Sequence, residues 1–172
     1  MKILGVIPAR YASTRFQAKP LVDIYGKTMI QRVYEQCKKT TSLTEVVVAT
    51  DDERILNHVV DFGGKAIMTS AKHQSGTERC GEVLELMEDK EQFFDVIVNI
   101  QGDEPFINPK QIDRVCSVFK EDELAEVSTL VKKIETEEEL FNENVVKVVL
   151  VDDEEFTLTM DKSTLVLDAV LK

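Results

Sequence analysis

Tryptophan is absent from this chain of 172 residues, and aromatic residues make up only 6% of it. The core therefore has to rest on Val, Ile and Leu, whose short β-branched runs favour a buried sheet. Cysteine is sparse: Cys37, Cys80 and Cys116 lie far apart, with no Cys-x-x-Cys pair. Each falls at an apolar position of an expected helix, so all three are read as reduced core thiols, which suits a cytosolic protein. Long apolar runs are also missing. The opening run before Pro8 is too short for a signal-peptide core, and nothing approaches a membrane span. A soluble, cytoplasmic protein is expected. Cations are outnumbered, 21 Lys and Arg against 32 Asp and Glu for a net charge of -11. That balance excludes a general nucleic-acid or anionic-membrane surface. No repeat, low-complexity tract or linker rich in Pro, Gly or Ser divides the chain, so a single domain over residues 1–172 is expected.

The charge is unevenly placed. The first forty residues hold eight Lys and Arg against only Asp23 and Glu35, and a basic patch on an acidic protein is a place to hold a small polyanion. Hydrophobic periodicity alternates along the same chain. Ile3 to Ile7 reads as a buried strand ended by Pro8, Met29 to Cys37 as a helix, and Val46 to Ala49 as a second buried strand. Ile55 to Val60 forms a helix stopped by Gly63 and Gly64, Ala66 to Met68 a short strand, and Cys80 to Met87 a helix. Val96 to Ile100 and Ile112 to Phe119 continue the pattern. Val127 to Val131, Val145 to Val151 and Phe156 to Met160 are further strand candidates, and the acidic stretch around Glu137 is a solvated helix or loop. The predicted fold is α/β, a doubly wound, mostly parallel sheet with helices on both faces.

In such a sheet, ligands collect outside the carboxyl ends of the strands, so the loops after Ile7, Ala49, Met68 and Ile100 are expected to converge, and those after Ile7, Met68 and Ile100 carry the candidate groups. The first runs from Pro8 to Leu21 and carries Arg10, Arg15 and Lys19 with two hydroxyls. Guanidinium forks and an ammonium match a nucleoside triphosphate, although a merely exposed basic loop fits the residue types as well. The loop lacks a Walker glycine pattern, so side chains must supply more of the charge neutralisation. The second loop is His73 to Arg79. There Gln74, Ser75 and backbone groups offer mixed donors and acceptors for a base, while Ser75 or Thr77 serves equally as a plain helix N-cap. His73 stands without a Cys or carboxylate at metal-binding spacing and His58 lies on a helix, so both are read as structural or surface residues. The third loop, Gln101 to Pro105, presents Asp103 at a strand end. That carboxylate suits Mg²⁺ held together with phosphate and water, and a tight turn bonded to its own backbone is the alternative. Gly102 permits close backbone approach to a ligand.

Taken together, Ile7 to Arg15 (IPARYASTR), Lys19 to Leu21 (KPL), Val48 to Asp51 (VATD), His73 to Arg79 (HQSGTER) and Val98 to Pro105 (VNIQGDEP) resemble the 3-deoxy-manno-octulosonate (Kdo) cytidylyltransferases. The order and spacing of these strings are more specific than any one of them, and the similarity runs from about Ile3 through Val149. The resemblance implies a Rossmann-like fold of the nucleotide-diphospho-sugar transferase type and a Mg²⁺-dependent transfer of CMP from CTP to Kdo, serving lipopolysaccharide assembly. It implies that Pro8, Ala9, Arg10, Arg15 and Lys19 meet the nucleotide, that Gln74, Ser75, Gly76 and Arg79 bind cytidine, and that Gln101 lies near the sugar. Asp103 would hold Mg²⁺. Arg10, Arg15, Lys19 and Asp103 are thus the expected catalytic residues, with CTP and an acidic sugar as ligands, no nucleic acid or membrane partner, and a possible homodimer.

Two departures from the family pattern stand out. Ala18 occupies the position before Lys-Pro-Leu where the family usually has Gly. Beyond about residue 156 the match decays, and Thr159 to Lys162 stand where relatives carry a Tyr-Phe-Ser-Arg segment. The sugar-binding and dimerisation parts of the family are expected to be missing or replaced there. The alternatives kept open are a CTP-binding remnant without turnover and a nucleotidyltransferase acting on a related acidic sugar.

Overall fold

The computed structural model describes residues 1–12, 16–148 and 170–171. Strand β1 (Ile3–Ala9) lies at the centre of the sheet, parallel to β4 (Glu45–Thr50) on one side and to β6 (Val96–Asn99) on the other. β5 (Ala66–Met68) pairs in parallel outside β4. Beyond β6, the strands β7 (Val127–Ser128) and β8 (Val170–Leu171) complete the order β5-β4-β1-β6-β8-β7, with β8 antiparallel to both neighbours. The sheet is therefore parallel through its core and antiparallel only around β8.

Residues alternate between two apolar layers, as the two-residue period of a strand requires. Ile3, Ile7, Val46, Val48, Val96 and Val98 pack with residues of α1 (Met29–Cys37), α2 (Glu53–Asp61) and α4 (Pro109–Glu121). Leu4, Val6, Val47, Ala49 and Ile97 face Cys80, Val83 and Met87 of α3 (Gly76–Glu88). Helices therefore cover both faces, which is why the parallel strands read as continuous apolar runs. The three cysteines are buried and free, and burial pushes the thiols of Cys37 and Cys116 up to about 12, Asp113 adding to the effect at Cys116. Among the described residues, no helix is long and apolar enough to cross a membrane.

Several boundaries differ from the sequence expectation. β1 does not end at Pro8; it continues to Ala9, with Pro8 opposite Ala49. Val6 accepts from the Ile100 amide on the β6 side, so Pro8, two residues on, also faces that side, where β6 has ended. Its missing N–H therefore leaves no ladder bond unmade. The Val127 run forms only two residues of strand. Residues 145–148 are not strand: the Val145 amide donates to the Asn142 carbonyl and the Asn144 amide to Asn142 Oδ1, a local turn that competes with pairing. Residues 149–151 and 156–160 of the other expected strands lie outside the described residues. The acidic stretch is a short helix, α5 (Glu137–Phe141), capped by Thr136 and with no buried residue. A hairpin of β2 (Asp23–Ile24) and β3 (Lys27–Thr28), turning through Tyr25 and Gly26 at positive φ, was not anticipated.

Candidate functional site

The chain winds outward from β1 through β4 to β5, then returns to the other side of β1 as β6. The crossovers diverge between β1 and β6, and the carboxyl ends of those two strands open into a crevice. A cleft of about 220 Å³ occupies it. Pro8, Ala9 and Arg10 form one wall, Lys19 and Pro20 the rim, Gly76 the start of α3, and the turn from Gln101 to Asp103 the opposite wall.

The first loop is held by its base. The Ala18 amide donates to the Tyr11 carbonyl at 2.9 Å, and Ala18 then caps a 3-10 turn over Lys19–Leu21. Ala18 has φ 57 and ψ 22, the left-handed conformation that an L-residue adopts only at a cost. A Gly at this position would bear no such cost. We predict that Ala18→Gly stabilises the fold by about 0.5–1 kcal/mol, the relief of strain being partly offset by greater unfolded-state entropy. A urea midpoint that falls on this substitution would contradict the account.

Lys19 projects from this turn to place Nζ 2.5 Å from Oδ2 of Asp103. Both side chains are partly exposed, so the pair adds little to stability. Its effect is to bring a cation of the first loop and the carboxylate of the β6 turn to one point on the cleft. Arg10 has no hydrogen-bond or ion-pair partner among the described residues and is available to an anion. Next to Asp103, burial, reinforced by the Asp103 charge, raises the Glu104 carboxyl above its usual range, while Lys19 pulls it down. Among the described residues no three His, Cys, Asp or Glu side chains gather as a ready metal cage. Asp103 alone suits a Mg²⁺ ion that draws its other ligands from phosphate and water.

Gly102 also permits a close contact within the protein. A Cβ there would lie 2.6 Å from the Pro8 carbonyl oxygen, so the close approach is between the two walls of the cleft themselves. α3 enters at the cleft floor. Ser75 is its N-cap, accepting from the Glu78 amide, and Gly76 lies against the first wall, where a Cβ would stand 3.4 Å from Pro8 Cγ. The positive end of a 13-residue helix thus adjoins the first loop.

Of the residues expected from the sequence, the structure brings Pro8, Ala9, Arg10, Lys19, Gly76, Gln101 and Asp103 onto one cleft. Gln74 is exposed just outside it, its amide donating to Glu78. Arg79 lies beneath, wholly buried, with Nη2 2.9 Å from Asp51 Oδ2 and Nη1 bonded to Thr69 Oγ1. Arg15 lies outside the described residues. His73 is bonded to Glu82 and His58 to Thr28, in keeping with structural roles. The partnership of Asp51, Thr69 and Arg79 had no signature in the sequence, because its members come from the ends of β4 and β5 and from α3.

The fold and cleft define an α/β protein with two cations and a carboxylate gathered at a strand-end crevice. Residues 4–167 match the cytidylyltransferase family, and the chain belongs to it. It is 52% identical over 150 residues to the 3-deoxy-manno-octulosonate cytidylyltransferase of Cytophaga hutchinsonii, an alignment covering 87% of this chain and 58% of that protein. Its identity to the protein of the same name from Parabacteroides distasonis is 53% over 154 residues, covering 87% and 59%. Among solved structures it resembles a CMP:2-keto-3-deoxy-manno-octonic acid synthetase complexed with CTP, with TM-score 0.69 and 46% identity over 76% of this chain and 52% of the other. The chain thus spans less than two thirds of the length of these relatives.

Proposed function

We propose that this chain forms the nucleotide-binding part of a cytidylyltransferase that transfers CMP from CTP to the anomeric hydroxyl of Kdo. The convergence of Lys19 and Asp103 beside Arg10, which has no partner among the described residues, carries the reading. It supplies cations for a triphosphate and a carboxylate for its metal at a single crevice. The names of the relatives and the CTP in the similar structure support the choice of nucleotide and sugar.

In the proposed reaction the sugar hydroxyl oxygen bonds to the α-phosphorus of CTP, and the bond from that phosphorus to the pyrophosphate oxygen breaks. The hydroxyl proton passes to solvent water and pyrophosphate departs. Sugar and nucleotide are both anions, so their approach has to be offset by positive charge. Arg10 and Lys19 provide it from this chain, with Arg15 assigned the same task by the family resemblance. The start of α3, with Gln74, Ser75 and Gly76, faces the cytidine, and Arg79 supports that segment from below. Gln101 stands toward the sugar. Asp103 would hold Mg²⁺, which when bound lowers the charge on the phosphates and acidifies a coordinated hydroxyl.

Calorimetric titration with CTP and UTP in the presence of Mg²⁺ tests the nucleotide assignment. CTP should bind in the micromolar range and UTP at least tenfold more weakly, a difference of about 1.4 kcal/mol. Equal binding of the two, or no CTP binding at millimolar concentration, would remove the cytidine assignment. Pyrophosphate release on adding Kdo tests the transfer itself.

A further inference from the structure

Outside the cleft, one interaction reaches the nucleotide loop from a separate element. Arg54, in the first turn of α2, donates from Nε to Asp52 Oδ1 at 2.8 Å and from Nη2 to Asp52 Oδ2 at 2.6 Å. Asp52 is also the α2 N-cap, accepting from the Arg54 amide, so the carboxylate is itself fixed on the backbone. This two-pronged bond sets the plane of the guanidinium, whose central carbon lies 3.2 Å from the centroid of the Tyr11 ring. Tyr11 is partly buried against the core and accepts, through its carbonyl, the Ala18 amide that closes the loop base. Lys19 follows immediately.

We propose that Arg54 is a positioning residue for nucleotide binding, clamping Tyr11 between its guanidinium and the core and thereby holding the base of the loop that presents Arg10 and Lys19. The proposal rests on the assignment of that loop to the triphosphate. Arg54 is fit for the task because the bond to Asp52 has already spent the rotamer freedom of a long side chain, so stacking on Tyr11 costs little further ordering. Asp52 also neutralises its charge, which makes Arg54 a poor phosphate ligand in its own right and a good clamp.

The test combines two measurements on the whole chain. Without nucleotide, hydrogen exchange at the Ala18 amide reports directly on its bond to the Tyr11 carbonyl. Arg54→Ala and Tyr11→Leu should each accelerate it about three- to fivefold, the scale of an exposed cation–π contact, while Tyr11→Phe, which keeps the ring, stays within about twofold of the parent. In calorimetry with Mg²⁺ and CTP, the first two variants should bind about three- to fivefold more weakly, and the double variant no worse than either. Unchanged exchange in Arg54→Ala overturns the clamp, and accelerated exchange with unchanged CTP affinity overturns its role in binding. If the parent chain does not bind CTP, the nucleotide assignment fails, and exchange alone decides whether Arg54 holds the loop.

Discussion

Substitution of Asp103 by Ala should change the response of the chain to magnesium rather than simply weaken it. In the structure the Asp103 carboxylate is engaged by Lys19 at 2.5 Å. Without metal, the parent therefore offers CTP an anion at the cleft and a lysine already occupied. Removing the carboxylate frees Lys19 and lowers repulsion, so metal-free CTP should bind the variant as well as the parent or more tightly. With Mg²⁺ the order reverses. If Asp103 holds the ion, magnesium should tighten CTP binding to the parent by about tenfold or more, whereas the variant should gain little. Pyrophosphate release in the presence of Kdo should fall below detection. Calorimetry at matched ionic strength, with EDTA or with Mg²⁺, separates these arms. If magnesium strengthens CTP binding equally in both proteins, Asp103 is not the metal ligand. Because its side chain is half exposed, the melting temperature should hardly move.

Arg79→Met should have the opposite profile, a large loss of stability from a residue that does not line the cleft. Arg79 is 0% exposed and its partner Asp51 only 17%, so the pair is largely withdrawn from water. Removing the cation leaves a carboxylate in a poorly solvated place with no matching charge, and leaves the buried Thr69 hydroxyl without its donor. Breaking a buried pair in this way costs about 3–5 kcal/mol. For a chain of this size that corresponds to a fall in melting temperature on the order of 10 °C. Arg79→Lys retains the charge but cannot span both partners, so an intermediate loss is expected. Urea unfolding of the three proteins decides the matter: a Met variant within 1 kcal/mol of the parent would show that the bonds to Asp51 and Thr69 do not support this corner. The same substitution should also loosen CTP, since Arg79 ties the first turn of α3 to the ends of β4 and β5.

The two residues mark the boundary between what was legible in the chain and what was not. Asp103 was identifiable because it combines a chemically specific side chain with a position directly after a strand with an unmistakable apolar pattern. Strand ends of a parallel sheet are where ligands collect, so type and place agreed. Arg10 and Lys19 were read as anion-binding groups from the polar loop after the first strand, whereas Gly76 came only from the family resemblance. Arg79 was recognised as belonging to the functional region, but a string of letters does not distinguish an arginine that faces a ligand from one turned inward to a carboxylate 28 residues away. Ala18 shows an intermediate case. Its departure from the family pattern was visible, yet only the backbone angles show that the position lies in the left-handed region.

The sequence by itself determined the alternation of strands and helices, the class of sheet, and the three loops that meet at the cleft, because burial on both faces writes apolar periodicity directly into the chain. It also placed the excess of positive charge in the first forty residues. Tertiary structure alone decided that β1 runs on through Pro8, that Gly102 accommodates the Pro8 carbonyl, and that Lys19 meets Asp103 across 84 residues of sequence. It alone joined Arg54 to Tyr11 and buried Arg79 on Asp51. Each of these depends on the distance and direction between segments remote in the chain. Such contacts are set by how layers pack, and local pattern carries no record of them.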